Sequence, residues 1–124
     1  MKLRIRGNSV RIRVSQSELK RIAEEGLAED AVRFAPDVGL VYRVRVAADG
    51  RISAELEDGV LTVTLPKAAV ERWTRPDEVS IRGEQPIGDG ETLKILVEKD
   101  FECLTPREGE DQSDLFPNPA QGTC

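Results

Sequence analysis

Lys2-Leu3-Arg4-Ile5-Arg6-Gly7-Asn8-Ser9-Val10-Arg11-Ile12-Arg13-Val14 alternates apolar and polar residues in two runs separated by Gly7-Asn8. A period of two is that of a strand with one face in a core. A two-residue loop whose members tolerate positive φ closes a hairpin. This turn sets Arg6 against Ser9, Ile5 against Val10, Arg4 against Arg11, Leu3 against Ile12 and Lys2 against Arg13. Apolar meets apolar and base meets base, and a slip of one residue would turn the core side chains to solvent.

Outward from this hairpin the same logic extends along the chain. Ser15-Gln16-Ser17-Glu18 is a capping box with Ser15 as the cap and Glu18 reaching back. Leu19, Ile22 and Ala23 form the buried stripe of the helix it opens, and Gly26 ends it. Ala31–Ala35 and Leu40–Ala47 read as strands broken by Pro36-Asp37-Val38-Gly39. A three-residue loop, Ala48-Asp49-Gly50, then pairs Val46 with Ile52, Val44 with Ala54 and Tyr42 with Leu56, and sets Arg43 opposite Glu55. In that bulged hairpin Gly50 takes the left-handed position. Asp58-Gly59 is a two-residue turn that pairs Leu56 with Leu61 and Ala54 with Val63. Pro66 starts a second short helix through Trp73, and strands at Glu78–Gly83 and Thr92–Glu98 follow, joined by a loop over Glu84–Glu91.

Val14 to Ile22 lies over Leu65 to Trp73 at a spacing of 51, each a strand running into a short helix. The chain therefore parses as two strand-strand-helix-strand-strand repeats, residues 1–48 and 51–101. Together they make one mainly β (α+β) domain over 1–101, an antiparallel sheet or small barrel with two short helices. Residues 102–124, punctuated by Pro106, Gly109, Pro117 and Pro119, read as an irregular acidic tail.

The composition suits this class, with 39% apolar and 33% charged residues and no apolar run near the length of a membrane span. The first residues alternate charge and lack the apolar stretch of a secretory leader, so the expected location is cytoplasmic. The chain has no histidine, which removes His-based nucleophile systems and His metal sites. Cys103 and Cys124 are too few for a structural zinc site and read as ordinary thiols, Cys103 buried and Cys124 on a loose end. Glu108, Glu110, Asp111 and Asp114 lack the spacing of a calcium loop. Gly83–Gly90 lacks the Lys-Ser/Thr pair of a phosphate loop. No cofactor or metal is expected.

Charge is unevenly placed: residues 1–21 carry net +6 and residues 98–124 net −5. Lys2, Arg4, Arg11 and Arg13 share one hairpin face as two like-charge cross-strand pairs, which destabilise unless neutralised. An anionic ligand would neutralise them, and arginine suits phosphate. The ordinary alternative is neutralisation from within, by Glu55, Glu57 or the acidic tail. In the tail version, Leu115 and Phe116 anchor the acids over the hairpin face. Glu55 and Glu57 share a strand face but read as plainly ionised carboxylates rather than a catalytic pair.

Val63-Thr64-Leu65-Pro66-Lys67, followed by Arg75-Pro76-Asp77-Glu78-Val79, resembles the swapped-hairpin modules of AbrB-type bacterial transition regulators. That resemblance implies strand-helix-strand geometry and an intertwined DNA-binding dimer, although residues 60–97 hold more acids than bases. Over its whole length the chain resembles a set of small bacterial proteins of unknown function. The residues that carry this are Lys2 to Ser9, Leu96-Val97-Glu98-Lys99-Asp100-Phe101 with Cys103, and Phe116-Pro117-Asn118-Pro119. The favoured reading is a non-catalytic intracellular binding module whose basic face meets an anionic ligand or protein. A homodimer is compatible with it, nucleic acid is less favoured, and no membrane is involved. The alternatives are a small histidine-free enzyme using carboxylates, arginines or Cys103, and an AbrB-like DNA-binding regulator.

Overall fold

The structure, a computed structural model, describes residues 1–102 and 112–117. In chain order the elements are β1 (Lys2–Ile5), β2 (Ser9–Val14), α1 (Gln16–Glu25), β3 (Leu27–Ala35) and β4 (Val38–Ala47). They continue with β5 (Ser53–Glu57), β6 (Val60–Pro66), α2 (Lys67–Trp73), β7 (Ser80–Gly88) and β8 (Glu91–Lys99). The mainly β expectation holds. The strands form two four-stranded sheets, ordered β1-β2-β8-β7 and β3-β4-β6-β5, and the sheets do not close into a barrel. Each sheet is two antiparallel hairpins joined by a parallel pair, β2 with β8 and β4 with β6. Mixed sheets therefore replace the purely antiparallel arrangement.

The first hairpin has the register read from its sequence, Lys2 opposite Arg13 through Ile5 opposite Val10. Helix α1 carries the full capping box: the Ser15 hydroxyl accepts from the Glu18 N–H and the Glu18 carboxylate from the Ser15 N–H. Gly26, at φ 79°, redirects the chain, so β3 begins at Leu27 rather than at the expected Ala31. Pro36-Asp37 alone makes the following turn. The β5–β6 hairpin is also as read, with Asp58 and Gly59 both at positive φ.

The hairpin expected between β4 and β5 does not form, because β6 lies between them. Val44 sits opposite Val63 and Val46 opposite Leu65. Arg43 and Glu55 both flank Thr62 instead of facing each other. Burial explains the order. On β6, Leu61, Val63 and Leu65 fill the core, and Thr62 on the other face is only 4% exposed, so this strand needs neighbours on both sides. Strand β5 places Ser53, Glu55 and Glu57 outward, and as a central strand it would desolvate carboxylates. Residues 48–59, between β4 and β6, supply the crossover that a parallel pair requires.

The loop expected over Glu84–Glu91 is mostly strand. Strand β7 continues to Gly88 and turns at Asp89-Gly90, both at positive φ, the same two-residue chemistry as Asp58-Gly59. Pro86 is accommodated because β7 is an edge strand, where a missing donor breaks no second ladder. Gly50 does adopt φ 101°, but in an open connection with free space where a Cβ would stand. Gly50→Ala should therefore cost about 1 kcal/mol in urea unfolding, purely from backbone conformation; a neutral result would contradict the left-handed assignment.

Core packing joins the layers. Ile12 and Val14 of β2, Val44 of β4, Val63 and Leu65 of β6, and Val97 of β8 are fully enclosed. Ile22 of α1 and Val70 and Trp73 of α2 complete the cluster. The sheet edges also meet: the Gln85 side chain on β7 donates to the Ala54 carbonyl and accepts from the Ala54 N–H. One amide thereby satisfies both backbone groups on the open edge of β5.

Candidate anion-binding site

Alternation along the first sheet sends Val10, Ile12, Val14, Ile95 and Val97 inward, and their neighbours outward. The registers arrange those neighbours in three rows across the strands. Lys2, Arg13, Glu98 and Ser80 form one row. Arg4, Arg11, Leu96 and Arg82 form the next. Ser9, Lys94 and Glu84 form the third, extended by Arg6, whose backbone pairs with Ser9 at the hairpin turn. Cations far outnumber the two carboxylates, Glu84 and Glu98, on this outer face.

Neutralisation from within does occur, but not by the groups expected from the sequence. Glu98 of β8 takes Arg13 at 2.7 Å and Arg11 at 3.1 Å through the same oxygen. Asp100, just past β8, takes Lys2 at 3.0 Å. Glu55 and Glu57 lie on the other sheet. Both acids that act here are well shielded, with 14% and 7% of their side chains exposed, so the pairs gain more than open surface ion pairs would.

The four residues expected at the site are thereby divided. Lys2 and Arg13 are held at the Glu98–Asp100 end. Arg4 and Arg11 line a groove of about 640 Å³. Arg6, Arg82 and Lys94 complete its cationic lining, Leu96 contributes an apolar surface, and Glu84 is its single acid. Arg4, Arg6, Arg82 and Lys94 are exposed, and their side chains have no carboxylate partner among the described residues. Sequence reasoning missed the last three. Arg82 and Lys94 do carry an outward parity signal, alternating with Ile81 and Ile95. Their place beside Arg4 depends on the β2–β8 pairing, which joins residues 85 apart.

Of the expected tail, residues 112–117 are described, and they touch the domain at Leu115 and Phe116 without lying over the hairpin face. Cys103, Glu108, Glu110, Asp111 and Cys124 lie outside the described residues. Residues 112–117 form a strap across the start of α1 and the end of β8. The Phe116 N–H donates to the Asp100 carbonyl at 2.9 Å, and the Glu102 N–H to the Phe116 carbonyl at 2.8 Å. Asp114 does not reach the hairpin face. Its carboxylate accepts from the Ser17 hydroxyl and, at 3.1 Å, the Ser17 N–H, while its carbonyl accepts from the Gln16 N–H. A negative group is favourable at that helix end. The Phe116 ring stands 5.3 Å from the ammonium of Lys99, which is only 4% exposed and donates to the Arg75 carbonyl. Burial pushes the Lys99 ammonium below its ordinary pKa, and Asp77 and Glu78 partly offset this.

Hydrogen bonds from Ser17, then Ser15, hold the Asp114 carboxyl below the usual carboxylate range. Its folded pKa is thus depressed, so strap stabilisation is complete above the unfolded carboxylate value of about 4 and is lost as pH falls through the folded value. Amide exchange at Ser17 and Phe116 should accelerate through that acid window in the native chain and lose the dependence in Asp114→Asn. Unchanged acid sensitivity in the variant would assign it to another group.

Among the described residues no group of three or more potential metal ligands comes together, and no helix is long and apolar enough to cross a membrane. Fold and face together define a mainly β protein of two mixed sheets with one strongly cationic outer surface. The chain belongs to a family of unknown function (DUF7009), whose family model matches residues 1–120. Neither the curated proteins nor the solved structures contain a match to it.

Proposed function

We propose that this protein is a non-catalytic intracellular binding module whose first sheet presents its outer face to an anionic partner. The observation that carries this is the groove bordered by Arg4, Arg6, Arg82 and Lys94, four cations without carboxylate partners among the described residues. Arg11 and Arg13 share the single carboxylate of Glu98. The planar donor fork of arginine suits bidentate contact with phosphate or sulfate.

Residues 1–101 are read as one domain of two related halves, 1–48 and 51–101, with 102–124 as its tail. A spacing of 51 carries β1 and β2 onto β5 and β6, and a spacing of 53 carries β3 and β4 onto β7 and β8. The parallel registers obey the same relation: Val10 opposite Ile95 corresponds to Leu61 opposite Tyr42. Each half thus pairs its first hairpin with the second hairpin of the other. That exchange supports the second reading, kinship with AbrB-type DNA-binding modules. The same relation sets Arg4, Arg6 and Arg82 over Glu55, Glu57 and Glu29, so only one sheet carries the cationic face. This favours one anion site per chain over a symmetric DNA-reading surface.

Thermal shift with sulfate, pyrophosphate, a nucleotide and a short duplex tests the reading, since a ligand of the native state raises apparent stability. At least one phosphate-bearing ligand should stabilise the native chain and the Arg45→Glu control on the second sheet. Arg4→Glu/Arg82→Glu should lose the effect. Equal stabilisation of all three proteins, or none of any, would overturn the proposal.

A further inference from the structure

Resting on that reading, we infer that the ligand of the groove is a linear chain of phosphates rather than a compact anion. The source of the donors is the first reason. A compact phosphate site draws backbone N–H groups from a glycine turn or a helix N-terminus around one centre. Here β2 and β8 are the interior strands, each hydrogen-bonded on both sides, so their N–H groups belong to the ladders. On the floor formed by these two strands only side chains remain as donors, and they project in parallel from the sheet.

Spacing is the second reason. Arg4, Arg11 and Arg82 lie in one row with Leu96 between the last two. From β1 to β7 are three strand intervals, about 14 Å, with the Arg6–Lys94 row about 7 Å further along the strands. Drawing these cations to one point would crowd like charges. A linear chain instead offers each its own phosphate. A chain lying between the two rows meets Arg4, Arg6, Arg82 and Lys94 at separate phosphates, over a length that no single phosphate covers. No aromatic side chain is on the face to stack a base: its three rows contain only Lys, Arg, Ser, Glu and Leu. Recognition is therefore confined to the phosphates. Inorganic polyphosphate and the backbone of a single-stranded oligonucleotide share this chemistry.

Titration calorimetry of the full chain with orthophosphate, tripolyphosphate, longer polyphosphate and a thymidine oligonucleotide tests the inference. Affinity should rise at least tenfold from orthophosphate to chains of four or more phosphates. Polyphosphate and a thymidine oligonucleotide, each long enough to cross both rows, should both bind. The logarithmic salt slope should be about −3, from roughly 0.7 per phosphate neutralised on a single strand. Arg4→Gln and Lys94→Gln should each make that slope shallower by about 0.7. Orthophosphate binding as tightly as the chains would overturn the linear ligand while leaving an anion site in place. An oligonucleotide that binds where polyphosphate does not would also overturn it, by moving the contacts to sugar and base. Absence of binding by every phosphate compound would remove both this inference and the function on which it rests.

Discussion

Trp73→Ala should destabilise the protein by about 3–5 kcal/mol, the range for truncating a fully buried large aromatic. Trp73 is 1% exposed at the end of α2, and its ring is part of the central core cluster. Its indole N–H donates to the Val79 carbonyl at 3.0 Å, which fixes the chain as it leaves the helix for β7. Two losses are combined in the alanine variant, the packed ring and the anchor of the α2–β7 connection. Trp73→Phe keeps most of the ring and removes only the hydrogen bond, so it should cost markedly less. Urea unfolding separates the two. Against the roughly 5–15 kcal/mol typical of a domain, the alanine variant would lose a large share of its stability. A cost below about 1 kcal/mol would place the tryptophan outside the core.

The second large effect concerns Gly83. A Cβ built at this position would collide with the Cγ2 of Ile52, a methyl on a short branched side chain with little freedom to withdraw. Strand β7 passes this close because the Gln85 amide, one turn of the pleat further on, is bonded to Ala54. Gly83→Ala should therefore cost about 2 kcal/mol through overpacking. In an Ile52→Ala background the same substitution should cost less than half as much, a coupling read directly from a double-mutant cycle. Additive effects would show that the two elements do not approach one another as described.

These positions also mark where the sequence can be read and where it cannot. The hairpin at Gly7-Asn8 and that at Asp58-Gly59 are legible down to individual pairs, because turn chemistry and period-two alternation act over a few residues. The α1 cap is legible for the same reason. Placing β4 beside β5 fails because adjacency in sequence favours it, whereas the order within the sheet is decided by which strand can be buried on both faces. Thr62, a β-branched polar residue flanked by Leu61 and Val63, is the available clue. The turn at Asp89-Gly90 is hidden by Pro86 and Gly88, which read as breakers until β7 is known to be an edge.

A smaller part of the candidate site is similarly visible. Arg4 and Arg11 follow from one local hairpin, while Arg82 and Lys94 arrive through a parallel pairing that no local pattern encodes. The charge asymmetry points to a neutralising partner, and Glu98 and Asp100 supply part of it. Glu98 belongs to a strand with its own alternation, Ile95, Val97 and Lys99 inward, and Asp100 directly follows it, so their meeting with Arg13 and Lys2 is a consequence of topology. Asp114 illustrates the converse: it finds a helix N-terminus, where backbone N–H groups offer directed bonds, instead of an open field of arginines.

A chemical-shift map of the native chain, titrated with tripolyphosphate at low salt, puts the cationic groove itself to the test. Saturating changes are expected at the amides of Arg4, Arg6, Arg82, Lys94 and Leu96, with side-chain responses from the same arginines and silence across Arg43 and Arg45 on the second sheet. Saturating changes confined to the second sheet or to the start of α1, with the groove unmoved, would show that the anion binds elsewhere and that the outer face of the first sheet is not the site.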